Sequence, residues 1–301
     1  MLYLDTLQKF APYVERAVSA LFDAAFDNQS HKGDLLIILE NGFYQEIDVP
    51  GRNLSPYCIG PGSQYWDEQT QFEFYDSYRR NVVDRESAFK EHSAEEKEKH
   101  IKMSIHLELM VYLKFWESNR FSKMLLMLVK LANGENYDWN FDFNKVYGPN
   151  KITGKKERKG RSYILEDLIK DGSMEVCPEF SMLMQDCYAD QIRNVVAHSQ
   201  FSMSQSHIGF SNYEPGKSFH QLRSIPFEKW EEYITMVILF YDSIIGNINR
   251  YNNHYISLGE GEPFALPLRI NRTDGSFYEE LYAYTGVRWA WYSNVQGDFA
   301  E

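Results

Sequence analysis

A mainly α-helical protein is expected from three features of this 301-residue chain. Residues 7–27 and 227–250 repeat apolar side chains at the three- and four-residue spacing of one helix face. Ser93 followed by Glu96 has the form of a capping box, and it opens a long helix. Strand signals, by contrast, are confined to a few short stretches.

In the first helix, Phe10, Tyr13, Val14, Ala17, Leu21 and Ala24 form the apolar stripe. Residues 29–66 are less regular. Leu35–Leu39 and Phe43–Val49 flank Asn41-Gly42, which is a hairpin signal, although Leu35–Leu39 reads equally well as a buried helical turn. Pro50, Gly51, Pro56, Gly60, Pro61 and Gly62 then interrupt regular structure. From Ser93 a helix is expected to run to Glu117, burying Ile105, Leu109, Tyr112, Leu113 and Trp116. A second helix over 121–132 should stop at Gly134, and a third should span 178–199. A hairpin-like stretch over 200–224 separates it from the strongly amphipathic helix carrying Trp230, Ile234, Val237, Tyr241 and Ile244. Beyond 255 the chain turns aromatic and irregular, with Trp289 and Trp291 near its end. Three segments follow: an N-terminal mixed extension over 1–93, a helical bundle over 94–254, and an aromatic tail over 255–301 expected to pack on it.

With 44% apolar and 16% aromatic residues the chain can bury a real core, which excludes global disorder and collagen-like repeats. Forty-three acidic side chains against 31 basic ones give a net charge of −12. Nucleic-acid binding would therefore need a local basic patch. Such a patch exists: Lys155, Lys156, Arg158, Lys159 and Arg161 are gathered between glycines. They read either as an RNA-binding element or as a solvated loop, with Tyr147, Tyr163 and Tyr188 available to stack on unpaired bases. Cys58, Cys177 and Cys187 form no C-x-x-C pair, so neither a disulfide framework nor a cysteine zinc site is expected. No histidine pairs with another histidine or a cysteine at ligand spacing on one helix face, so no metal and no cofactor is expected. The opening residues lack a signal-peptide pattern and no apolar run is long enough to span a bilayer, which points to a cytoplasmic protein with no membrane partner.

Phosphate-binding loops, dinucleotide fingerprints, zinc-protease motifs, nucleophile elbows and calcium loops are absent from the sequence. One segment carries candidate chemistry: Gln191-Ile-Arg-Asn-Val-Val-Ala-His-Ser-Gln-Phe201. Asn194 and His198 are four apart and line one stripe of a helix, with Arg193 beside it and Ile192, Val195 and Val196 free to pack inward. An arginine fork holds phosphate, and an imidazole moves protons near neutral pH. Alternatively, Arg193 and His198 are cations placed near a helix C-terminus, where the backbone dipole favours them.

Arg193, Asn194 and His198, with their apolar filling, resemble the signature of the HEPN (higher eukaryotes and prokaryotes nucleotide-binding) family. That motif is an Arg, then a polar residue that is often Asn, then a His several positions on. The likeness covers roughly residues 95–250. It implies a HEPN-like helical bundle and a metal-independent endoribonuclease that leaves 2′,3′-cyclic phosphate ends. It also implies that His198 is the proton-transfer group, Arg193 stabilises phosphorane charge and Asn194 orients its neighbours. Two copies would meet in a homodimer to complete the active site. The biological role implied is a toxin or antiviral-defence effector, with RNA as substrate and an antitoxin or regulatory protein as a further partner. Some members of the family have lost catalysis, so a module binding a nucleotide or a protein is the second reading, with Trp289 and Trp291 as anchors.

Overall fold

Helical periodicity governs the observed architecture, a computed structural model describing residues 3–39, 77–78, 80–138, 141–150, 153–216, 221–258, 265–271, 277–284 and 289–291. Its helices are α1 (Leu4–Asn28), α2 (Asp34–Leu39), α3 (Val82–Lys90), α4 (Ala94–Glu117), α5 (Asn119–Ala132), α6 (Pro178–Cys187), α7 (Asp190–Ala197) and α8 (Phe227–Ser257). Ahead of α6, Arg161–Tyr163 runs into a π-helical turn, Ile164–Lys170, and a 3-10 turn, Asp171–Ser173. Strands β1 (Tyr147–Pro149) and β2 (Lys156–Arg158) form one antiparallel pair. β3 (Phe201–Met203), β4 (His207–Phe210) and β5 (Ser224–Pro226) form a second sheet, and β6 (Ala265–Asn271), β7 (Phe277–Tyr284) and β8 (Trp289–Trp291) a third.

The capping box is made. Ser93 Oγ accepts from the Glu96 N–H at 3.3 Å while the Glu96 carboxylate accepts from the Ser93 N–H at 2.9 Å. Leu35–Leu39 takes the helical alternative as α2, and all six of its residues, Asp34–Leu39, are buried. The Asn41-Gly42 turn and the Pro/Gly-rich stretch that follows lie outside the described residues. The single helix expected over 178–199 is two, because Ala189 is extended at φ −137° and ψ 113°. The expected hairpin at 200–224 exists as β3 and β4, with Phe201 opposite Phe210, and β5 adds a third strand. The tail holds more order than its composition suggested. α8 continues through Ser257, and β6–β8 pair antiparallel with Leu268 opposite Glu280 and Ala283 opposite Ala290. Phe277, Tyr282 and Tyr284 suit a pleated half-buried surface, which outweighs the glutamates between them.

The chain divides into two compact units. The first comprises 1–18, 65–118 and 182–243. Its core centres on Trp116, whose ring lies 4.8 Å from Phe115 and 5.0 Å from Tyr188. Glu108 is wholly buried there, accepting hydrogen bonds from the Tyr78 hydroxyl at 2.6 Å and Trp230 Nε1 at 2.9 Å. Both carboxylate oxygens thus have donors, the condition under which a buried acid is tolerated. The second unit comprises 19–64, 119–181 and 244–301. There α2 packs on α5 and β6, and Phe22 stacks on Tyr251 with centroids 6.1 Å apart. Among the described residues no helix is long and apolar enough to cross a membrane.

Candidate active site

Helix α7 in the first unit carries the Arg-Asn-His motif. Gln191, Ile192, Val195 and Val196 are buried, Arg193 and Asn194 are half-buried, and His198 is exposed. This is the division of faces that the spacing implies. The helix packs on α4. No side chain caps its N-terminus. Instead the Ala189 N–H donates to the Tyr112 hydroxyl at 2.8 Å, so a residue from α4 sets where α7 begins. Burial pushes the Tyr112 phenol well above its ordinary pKa, which keeps it a neutral partner. Gln191 ties the following segment down, donating to Leu222 O and accepting from Leu222 N–H, both at 2.8 Å.

Arg193 sits in a polar cluster. Its Nη1 donates to Glu117 Oε1 at 2.6 Å, and its Nη2 donates to Asp190 Oδ1 and Asn194 Oδ1, both at 2.9 Å. Asn194 Nδ2 donates to Asp190 Oδ2 at 2.9 Å, and the Tyr188 hydroxyl donates to Asp190 Oδ1 at 3.0 Å. Burial acts to lower the Arg193 pKa, but Tyr188, Asp190 and Glu117 outweigh it and leave the guanidinium raised above its usual value. Arg193 is 13% exposed whereas Glu117 is 39% exposed, so this ion pair has its carboxylate side toward solvent. Asp190 and Glu117 are partners of Arg193 that the motif search did not include. Asp190 was within reach, lying three and four residues before Arg193 and Asn194 on the same helix stripe. Glu117 is 76 residues away and left no local signal.

His198 is the C-cap of α7, and its N–H donates to Asn194 O at 3.0 Å. Ser199 follows with φ 53°, the left-handed region. The Ser199 N–H bonds Val196 O at 3.2 Å and the Gln200 N–H bonds Val195 O at 2.8 Å, which closes the helix as a Schellman motif. Glycine usually takes that position, so Ser199 holds a strained backbone beside the imidazole. The structure therefore joins Arg193 to Asn194 directly. His198 sits one turn on, its ring in solvent and not hydrogen-bonded to either. The arrangement is an exposed imidazole at the end of a helix whose arginine is held by two carboxylates.

The basic segment belongs to the second unit and folds as a hairpin instead of a loop. Lys155, Lys156 and Arg158 are exposed. Lys159 pairs with Glu157 at 2.9 Å and covers the Tyr163 ring, while Arg161 donates to Ser122 Oγ at 3.1 Å and to Asn119 and lies over Phe143. Of the three tyrosines considered for stacking, Tyr147 is 54% exposed, Tyr163 is half-buried and Tyr188 is buried. The same unit contains an open groove of about 760 Å³, lined by Glu135, Asp138, Asp142, Asp167, Asp171 and Glu175 with Lys130 and Lys145 among them. Its charge disfavours a phosphate ligand.

Cys177 and Cys187 are free and buried, and burial raises both thiols, so neither is an activated nucleophile. Trp289 is also buried, stacked on Tyr282 at 5.6 Å, so its ring serves the third sheet and not a partner surface. Among the described residues no group of His, Cys, Asp or Glu is arranged to hold a metal ion. No protein-family model, curated protein or solved structure matches the chain.

Proposed function

We propose that this chain is a metal-independent endoribonuclease whose catalytic residues are Arg193, Asn194 and His198. The observation that carries this reading is an exposed imidazole one helical turn beyond a hydrogen-bonded arginine–asparagine pair. It supports the chemistry suggested by the resemblance to HEPN ribonucleases. The RNA 2′-hydroxyl attacks the adjacent phosphorus, forming the P–O2′ bond as the P–O5′ bond breaks. One imidazole takes the 2′-hydroxyl proton and a second gives a proton to the departing 5′ oxygen. Each chain supplies one such His198, so a homodimer completes the site. Arg193, released from Glu117, faces the charge that builds on the phosphorane oxygens. Asn194 fixes the guanidinium through its amide oxygen. A role as a toxin or antiviral-defence effector, held in check by an antitoxin or regulatory protein, fits an enzyme of this kind.

A second reading, a non-catalytic module that binds a nucleotide or a protein, is favoured by one observation. Both prongs of the Arg193 fork are occupied by carboxylates. Cleavage of a single-stranded RNA pool in EDTA separates the two. Wild type should give cyclic-phosphate ends, and His198→Ala and Arg193→Ala should each lose about 100-fold or more in rate. Glu117→Gln should keep or raise activity by freeing the guanidinium. Equal cleavage by wild type and His198→Ala would remove the catalytic assignment. Absent cleavage, with nucleotide binding that depends on Arg193, would establish the module reading.

A further inference from the structure

In the β1–β2 hairpin, Tyr147 lies opposite Arg158 and Pro149 opposite Lys156. Side chains alternate across a strand and cross-strand partners share a face, so Tyr147, Pro149, Lys156 and Arg158 form one face, and Gly148 and Glu157 the other. The second face is covered at Gly148, which is buried, and open at Glu157. A Cβ at Gly148 would come within 2.6 Å of Tyr163 Cζ, so only glycine lets the strand lie against that ring. Glu157, the one carboxylate in the hairpin strands, is exposed on this second face, where it accepts from Lys159 at 2.9 Å and Asn150 Nδ2 at 2.8 Å. The first face is open: Tyr147, Pro149, Lys156 and Arg158 are all exposed. Lys156 Nζ stands 5.7 Å from the Tyr147 ring centre, and Asn144 Oδ1 steadies the Arg158 guanidinium at 3.0 Å. Lys155, exposed at the turn where Gly154 adopts φ 67°, falls by the same alternation on the second face. On a chain of net charge −12, this is an aromatic platform bordered by two cations, with no carboxylate at its four strand positions.

We propose that this face binds single-stranded RNA, with Tyr147 stacking on a base and Lys156 and Arg158 contacting the flanking phosphates. Lys156 and Arg158 are two residues apart on a strand, about 7 Å, a span that adjacent phosphates of an extended strand can match. A duplex hides its base faces, whereas an unpaired base offers one to Tyr147. Lys159 and Arg161, bound to Glu157 and to Ser122 and Asn119, stabilise the hairpin and are not part of the binding face. The inference takes its ligand class from the ribonuclease reading but requires no catalysis.

The test is fluorescence anisotropy of a short labelled oligoadenylate with the full chain carrying His198→Ala, so that cleavage cannot intrude. Tyr147→Ala should weaken binding about 10-fold while Tyr147→Phe stays within about 2-fold. Lys156→Glu combined with Arg158→Glu should weaken it about 10- to 100-fold and reduce the salt-dependence slope by about 1.4, at about 0.7 per phosphate contact. Lys32→Glu, a single charge reversal at another exposed lysine of the same unit, should leave binding unchanged, whereas Lys156→Glu alone should weaken it. The oligoadenylate paired into a duplex should bind at least about 10-fold more weakly. Undiminished binding by the Tyr147→Ala and charge-reversed variants, equal affinity for the duplex, or no binding at all overturns the proposal. So does a face that binds only anionic lipid vesicles. Binding through Tyr147 in a protein whose wild type never cleaves would sink the ribonuclease reading and leave this one standing. Cleavage that ignores the hairpin variants, with unaltered binding, would do the reverse.

Discussion

Arg193 in the first unit and Arg269 in the second are each 13% exposed and each paired with a carboxylate, yet their partners differ sharply. Arg269 Nη2 donates to Asp34 Oδ2 at 3.0 Å, and Asp34 is wholly buried. Ser30 Oγ and Asn136 Oδ1 take the same nitrogen at 2.9 and 2.6 Å. Asp34 Oδ1 and Arg269 Nε have no hydrogen-bond partner among the described residues. That cluster locks β6 to the start of α2. Arg193 instead holds Glu117, which is 39% exposed, on a helix that ends in an exposed imidazole. A buried, ion-paired arginine is therefore not by itself a sign of chemistry. What distinguishes the α7 cluster is a partly exposed carboxylate partner and an exposed imidazole at the end of the same helix.

The comparison is broken most directly at Asp34. Asp34→Ala leaves Arg269 without its charge partner in a nearly closed site and should cost about 3 kcal/mol in urea unfolding. Burial raises the Asp34 pKa above its ordinary 3.8, against the opposing pull of Arg269 and His31. The folded chain therefore holds that proton more tightly than the unfolded chain. The stability Asp34 contributes is fully present below 3.8 and is lost as pH rises through its folded value. Asp34→Asn should flatten that part of the acid-side stability curve, and an unchanged curve would mean that Asp34 does not titrate there.

Tyr112→Phe should come next, at about 1.5 kcal/mol, because it leaves the Ala189 N–H without its acceptor. Hydrogen exchange at Ala189 is the sharper readout, and protection equal to wild type would show that something else holds the α6–α7 break. Glu117→Ala removes a partly exposed partner and should cost under about 1 kcal/mol, several-fold less than Asp34→Ala. Equal costs would erase the distinction drawn between the two arginines. Ser199→Gly should have the smallest effect and the opposite sign, a gain of about 0.5 kcal/mol from relieving the left-handed backbone at φ 53°. A loss of stability would show that the serine side chain contributes more than its backbone costs.

Local order was legible in the sequence. Helices α1, α4, α5 and α8 follow from apolar spacing, and the start of α4 from Ser93 and Glu96, because helix bonds and capping boxes join residues only three or four apart. The Arg193, Asn194 and His198 stripe follows from the same arithmetic. What the sequence alone could not show depends on residues distant along the chain. The break before α7 is set by Tyr112, 77 residues from Ala189, and the partner of Arg193 is Glu117. The basic segment could be read as a patch, but its sorting, with Lys156 and Arg158 on one face and Glu157 on the other, depends on pairing with β1 and on Tyr163 under Gly148. Strand pairing in β6–β8 was hidden for the same reason, since a strand has no internal hydrogen bonds and becomes one only against its neighbour. The sequence by itself determined helices α1, α4, α5 and α8 and the spacing of the motif. Tertiary structure decided which charges are paired, which are open and which face each strand presents, because those outcomes depend on contacts that sequence spacing does not encode.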